Sequence, residues 1–599
     1  MREPRIRTRL TAVASAAALS LLIVGLAAAI HAPATGYESS IYVFTPWLFW
    51  IAVIIVDVMG IALIVTGNSG GGKPFWLIGV CFIILANCLT ISLHSFRGYF
   101  AYMGRGDSAT YIGMAKDVTT LGYYSETNPY PLPAILISGI SQIAAVPDVV
   151  ASAFVPCLFM VVYVLSIYCI AKSMGIGRAY LFSSLAAASP IFFAGYATSL
   201  YFMFLATMTL PLFIYFLIRS ESALFRFLAI LWVVILPLYH PYVAMLAASF
   251  LIIIVASHRR LAHGWKCGRG NLTFVLLFGG IVFAYWVIQS PRLIELSASI
   301  ISQALGMNDS PSSFSKTQDL LANLSLADFA VSSLLMLGDE IVYMLMALVA
   351  IFQIMRSSSR CRKSDQFMKL LPIGACIIGG SLLLGAAMLL TRAHVLHRLL
   401  NLNGVILLTV PLVAVLLSSP ANSVPPECVR KHVRLRRKPR AVLVVITILT
   451  VATIFSAYPS PFTSSANNQV SISDIWGMQW LIEEKNRTIT TADIASPVER
   501  FSDLIFGHES TEARPDLQRN FIVPDHFGFS NLGESVLQFD RDRYLLVTQY
   551  DITAYTEVWT TRDRFVADDF YALENCTNAA SIYSNGEFDL YYVYAIPNQ

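Results

Sequence analysis

The sequence predicts a multi-span α-helical membrane protein that ends in a small α/β or α+β domain, and three observations carry that expectation. Of 599 residues, 56% are hydrophobic and only 13% charged, with a mean hydropathy of +0.63. A soluble chain of this size carries about a quarter charged residues. Uninterrupted apolar runs recur at close to the roughly 20 residues that a helix needs to cross a bilayer. After Tyr458 the chain turns mixed and polar, over a length suited to one ordinary domain.

The first run, at about 9–30, follows a basic start. This is the form of a signal peptide, but the run is long and others follow, so it reads as a retained anchor. Further runs fall at 42–66, 74–93, 149–171, 179–196, 199–218, 226–238, 242–257, 272–289, 334–355, 369–390, 399–418 and 441–457, about thirteen crossings in all. With the N-terminus in the cytoplasm, the basic segments at 172–178, 219–226, 257–269, 356–363 and 427–440 all fall inside, as the positive-inside bias requires. The net charge of +4 says little by itself.

The outward pieces are then a first loop at about 94–148, the turn Tyr239–Tyr242, the segment at about 290–333, the mouth Thr391–Arg398, and everything beyond Tyr458. This divides the chain into a membrane domain, 1–457, and an extracytoplasmic domain, 458–599. In the latter, "SDIWGMQWLIEEKN" has helical apolar spacing, with Ser473 or Asp474 as N-cap. The β-branched and aromatic residues of 543–559 and 579–595 predict strands, with a hairpin turn at Asn585–Gly586. Cys576 is the one outward cysteine of nine, so no intrachain disulfide is expected there, and no metal-ligand cysteine spacing occurs.

The polar stretch "YMGRGDSATYIGMAKDV" (Tyr102–Val118) stands out in the first loop. A helix beginning near Gly106 places Asp107, Thr110, Tyr111 and Asp117 on one arc and turns Lys116 to the other side. Asp107 also stands where an acid caps a helix start. Transfer of a phosphate-linked group needs a base for the acceptor's proton and cations for the leaving phosphate. Arginine suits the second task, because its planar fork grips phosphate oxygens. Arg392, His394, His397 and Arg398 crowd one outer mouth, and Arg97, Arg105 and Arg292 are further outward cations. Interfacial snorkelling explains such a cluster equally well. Arg398 precedes a run containing Asn401 and Asn403, from which it reaches inward. His240 precedes Pro241, where two short runs meet; it either serves freed backbone carbonyls or lines a pocket. Asp57 lies mid-run, where a carboxyl is costly without a partner. Asp339 and Glu340 stand near an outer span end.

The first loop with its acid, the following "NPYPLPAILISGISQIAAV", the short spans meeting at "LYHPYVAM" and an arginine at a late mouth together resemble the C-type glycosyltransferase superfamily. The layout is closest to that of archaeal polytopic members, over about 1–457 with an outer C-terminal domain. The resemblance implies a polyprenyl (dolichyl) phosphate-linked sugar donor, membrane lipids as partners, and a glycan, lipid or protein acceptor of the cell envelope, with no role for nucleic acid. It implies hexosyl or pentosyl transfer with inversion. It gives Asp107 the role of general base, with Asp117 second; Asp117, Tyr111, His240, Arg105, Arg392, His397 and Arg398 are expected to bind substrate. A divalent cation, Mg or Mn, would be the cofactor of a metal-holding acid. This chain departs from the paired-acid motif, since Ser108 follows Asp107, and "IWGMQW" does not match the signature of oligosaccharyltransferase tails. Two other readings stay open: a transporter or flippase of lipid-linked sugars, to which Asp57 speaks, and a non-catalytic membrane scaffold.

Overall fold

The computed structural model describes residues 2–67, 75–102, 105–125, 128, 130–261, 265, 268–291, 293–295, 298, 326–358, 365–390, 403–418, 439–517, 523–531, 541–560 and 564–595. Among them, five helices are long and apolar enough to cross a membrane, and shorter apolar helices of 10–17 residues surround them. The chain is a multi-span membrane protein.

In chain order the helices used here are α1 (Arg2–Ile30), α2 (Trp47–Thr66), α3 (Phe75–Ile91), α4 (Asp107–Leu121), α5 (Pro131–Ala144), α6 (Asp148–Met174), α7 (Arg178–Ala187), α8 (Phe202–Met208), α9 (Leu210–Ile218), α10 (Ala223–Tyr239) and α11 (Pro241–Leu261). Four helices of the tail follow: α12 (Ile472–Glu484), α13 (Val498–Phe506), α14 (His508–Glu512) and α15 (Ala567–Glu574). Close packing of α2 on α3 depends on facing glycines. A Cβ on Gly60 would come within 2.9 Å of the Gly79 carbonyl, and one on Gly79 within 2.6 Å of that of Gly60. Small residues that let backbones approach are the common device of helix pairs in lipid.

Two stretches differ from the sequence pattern. The run at 179–196 yields the ten-residue α7 and the start of a short helix, Ala194–Ala197, because Ser189–Pro190 cannot continue a helix. Within the expected first loop, α5 is a distinct apolar helix, started by Pro131 at its first position.

All four strands among the described residues lie in the tail: β1 (Thr491–Asp493), β2 (Arg543–Thr548), β3 (Ala579–Ser584) and β4 (Phe588–Val593). They form one sheet in the order β1-β2-β4-β3. β1 is parallel to β2, and the other pairs are antiparallel. The β3–β4 hairpin turns at Asn585–Gly586, where Gly586 takes φ 91°, a conformation glycine adopts without strain. The strand pattern at 543–559 stops early: after Thr548 the chain coils into a short helix and a π turn, Gln549–Val558. Thr548 opens that turn by accepting from the Asp551 backbone N–H. Helix α12 is capped by Ser471, two residues before the expected cap, in a reciprocal box with Asp474.

One hydrophobic core runs from the membrane helices into the tail, since Phe49, Ile112 and Phe202 share it with Met478, Phe501 and Leu590. A backbone bridge pairs Ala101 with Val470. The side chains of Asn467 and Gln469 donate to the Glu38 and Gly36 carbonyls at 2.7 and 2.9 Å.

Candidate active site

The site is built around the start of α4. Gly106 stands at its N-cap and supplies no side-chain cap. Asp107 therefore occupies the first helical turn rather than the cap, where the N-terminal polarity of a helix favours an acid. Its side chain is 47% exposed, and its Oδ1 lies 3.2 Å from Nη2 of Arg500, itself 35% exposed. Tyr201, half-buried, lies close to the same carboxylate.

Arg500 belongs to α13, in the tail, and α13 lies directly against α4. Gly113 makes this possible, because a Cβ there would meet the Asp503 carbonyl at 2.4 Å. Nη1 of Arg500 donates to the Thr110 hydroxyl at 2.6 Å, and Thr110 donates to the buried Asp503 carboxylate. The other oxygen of Asp503 faces Nδ1 of His508 at 3.2 Å. Burial pulls His508 down, but the Asp503 carboxylate, with Glu512 and Asp117, raises it above the ordinary imidazole value.

On the other side of Asp107 lies an aromatic shelf. Tyr111 stacks on Phe202 of α8 with centroids 3.9 Å apart and meets Tyr201 edge-on at 6.5 Å. Tyr130 stands edge-on to Tyr111 at 6.4 Å and stacks on His240 at 4.8 Å with the rings nearly parallel. His240 caps the end of α10 in extended conformation. Its Nδ1 has no hydrogen-bond partner, so that nitrogen does not serve the carbonyls freed by Pro241. An apolar groove of about 440 Å³ lies between α5 and α10, lined by Leu132, Ile135, Ile143, Trp232, Ile235 and Tyr239, the last next in sequence to His240. Gly139 lies in its wall, with nothing within 4 Å of where a side chain would start.

The expected site residues therefore separate. Asp107, Tyr111 and His240 border the shelf. Asp117 faces the other way: it is buried and accepts the Glu509 backbone N–H at 3.0 Å, capping α14. Burial raises its carboxyl against that bond. Arg105 is 4% exposed and holds the tail rather than lining the shelf. It pairs with the buried Asp474, donates to Ser496 at 2.8 Å and to the Gln469 carbonyl at 3.0 Å, and lies 4.5 Å over the Tyr550 ring. Burial pushes the nearby Asp551 up to about 6, against its hydrogen bonds from Thr548 and the charge of Arg105. Arg97 is buried too, paired with Glu38. Arg292, Arg392, His394, His397 and Arg398 lie outside the described residues. Asp57 is enclosed in α2, with neither oxygen hydrogen-bonded. Glu340 is buried and accepts the Phe193 N–H at 3.0 Å.

Among the described residues, no group of three or more His, Cys, Asp or Glu could hold a metal ion. Among the described residues, the charged neighbour of Asp107 is Arg500 and not a second acid, and a lone carboxylate beside an arginine does not fit a divalent cation.

Sequence reasoning missed Arg500, Asp503, Tyr130 and Tyr201. Nothing local marks Arg500 among the other cations, because its partners Asp107 and Thr110 lie about 390 residues away in the chain.

No family model and no curated protein matches the chain. Among solved structures, ArnT from Cupriavidus metallidurans bound to undecaprenyl phosphate is similar at 10% identity and a TM-score of 0.45, covering 88% of this chain and 100% of that one. The same protein in the apo state is similar at 12% identity and a TM-score of 0.43, covering 87% and 100%. Similarity at that level assigns neither substrate nor activity.

Proposed function

We propose that the chain is an integral membrane glycosyltransferase, moving a sugar from a polyprenyl-phosphate-linked donor to an acceptor on the extracytoplasmic side. The observation that carries this reading is a half-exposed carboxylate beside a half-exposed arginine, next to an aromatic shelf whose His240 follows Tyr239 of an apolar groove.

Each part has a task suited to its chemistry. The groove between α5 and α10 takes the prenyl chain, which apolar walls hold without specific polar contacts. The half-buried rings of Tyr201 and Tyr130 offer flat apolar faces to a sugar ring, with the buried Tyr111 edge-on to both. Asp107 accepts the proton of the acceptor hydroxyl as that oxygen bonds to the anomeric carbon. The bond from that carbon to the phosphate oxygen breaks, and polyprenyl phosphate leaves with the electron pair. Inversion follows when attack and departure occur on opposite faces. Arg398 and Arg392, with His397, are proposed at the outer mouth as further phosphate contacts, and His240 as a wall of the donor pocket. The acceptor is a glycan, lipid or protein of the cell envelope.

The experiment is sugar transfer by purified protein from a radiolabelled polyprenyl-phosphate sugar to a membrane extract. Asp107→Asn is expected to lower the rate by about two to four orders of magnitude, the usual range for losing a general base, with the protein still inserted and monodisperse. Transfer at the wild-type rate would refute the assignment.

A further inference from the structure

The pairing of Asp107 with Arg500 raises a chemical problem, since an arginine fork suited to phosphate lies against the carboxylate that must meet the acceptor hydroxyl. We propose that Arg500 is a phosphate-binding residue shared between two partners: it pairs with Asp107 in the free protein and turns to the donor's phosphate when donor binds, releasing the carboxylate. This deepens the reading above and rests on it.

Three features of the geometry support the exchange. Arg500 is anchored on one side only, by the Thr110 hydroxyl at 2.6 Å. Thr110 is oriented by its own bond to the buried Asp503, so the guanidinium pivots about a fixed point. The other side of the guanidinium meets Asp107 at 3.2 Å, with both groups partly in solvent, and such exposed pairs contribute little. A phosphate, with its greater charge and several acceptor oxygens, competes well for an arginine fork. The other carboxylates near the anchor are already engaged, Asp503 by Thr110 and His508 and Asp117 by the α14 backbone.

The consequence is a prediction that a merely structural pair does not make. Removing the carboxylate frees Arg500, so a variant crippled in transfer binds the lipid phosphate more tightly. The probe is undecaprenyl phosphate in detergent micelles, with undecaprenol as the phosphate-free control. Asp107→Asn is expected to lower Kd for the phosphate about two- to fivefold, the range of an exposed ion pair. Arg500→Gln is expected to raise it about 10- to 100-fold, the range of a charge-assisted hydrogen bond. The double variant should match Arg500→Gln, Arg500→Lys should fall between, and undecaprenol should bind all forms alike. Size-exclusion profiles and melting temperatures establish that each variant is folded; if Arg500→Gln is not, Asp107→Asn and Arg500→Lys still decide the matter.

An Asp107→Asn protein that binds the phosphate no more tightly than wild type overturns the exchange, as does equal binding of undecaprenol and its phosphate by wild type. If wild type transfers sugar but Asp107→Asn shows no gain in affinity, the exchange fails and the glycosyltransferase reading stands. If the affinity pattern appears without any sugar transfer, the exchange stands and that reading fails.

Discussion

At the scale of single residues, the two arginines of the first loop and tail show how position decides role. Arg105 and Arg500 are both cations near α4, yet one is 4% exposed and the other's side chain is 35% exposed. Arg105 satisfies a carboxylate, a hydroxyl and a carbonyl inside the protein, and it fixes the segment that leads into α4. Breaking a buried pair by removing one partner strands the other charge and costs about 3–5 kcal/mol. Arg105→Met is therefore expected to lower the melting temperature sharply, while Arg105→Met with Asp474→Asn recovers most of the loss. An unchanged melting temperature in the single variant would contradict the clasp. From the sequence, the two arginines were not separable in this way. Arg105 read as an outward cation because its burial depends on Asp474 and Tyr550, which no local pattern connects to it.

At the scale of elements, α4 and α13 form the central unit, and α14 locks it. The start of α14 is held by two carboxylates from outside it: Asp117 accepts the Glu509 N–H, and Asp503 holds the His508 ring at 3.2 Å. His508 has its proton affinity raised in the folded protein, so its contribution to stability is full below the unfolded value of about 6.5 and is lost as pH rises through the higher folded value. Melting temperature is expected to fall as pH rises from about 6.5, with the decline flattened in His508→Gln. An equal decline in the variant would assign the effect elsewhere. The start of α4 was legible, because Gly106–Asp107 after a glycine-rich turn opens a polar-faced helix that the structure begins at Asp107. The join at His240–Pro241 was legible for the same reason, since proline permits few local conformations. The early end of β2 was not, because Thr548 and Asp551 form a capping box inside a stretch whose composition favours strand. The π turn that follows was equally hidden.

At the scale of the whole molecule, the tail is part of the same packing unit as the membrane helices. Its residues Phe501 and Met478 share a core with Phe49 and Phe202. The composition turns polar after Tyr458, but composition cannot show that a polar segment folds back onto a loop 350 or more residues earlier, as Arg500 does onto Thr110. The groove proposed for the lipid is likewise a whole-chain property, since α5 and α10 lie far apart in sequence and meet only in the fold. That groove allows the most direct test of the account, photo-crosslinking with a polyprenyl phosphate bearing a diazirine in its prenyl chain, followed by peptide mapping. The account predicts adducts in Pro131–Ala144 and Ala223–Tyr239, reduced by excess unlabelled polyprenyl phosphate. Adducts confined to other helices, or labelling that excess lipid does not reduce, would contradict it.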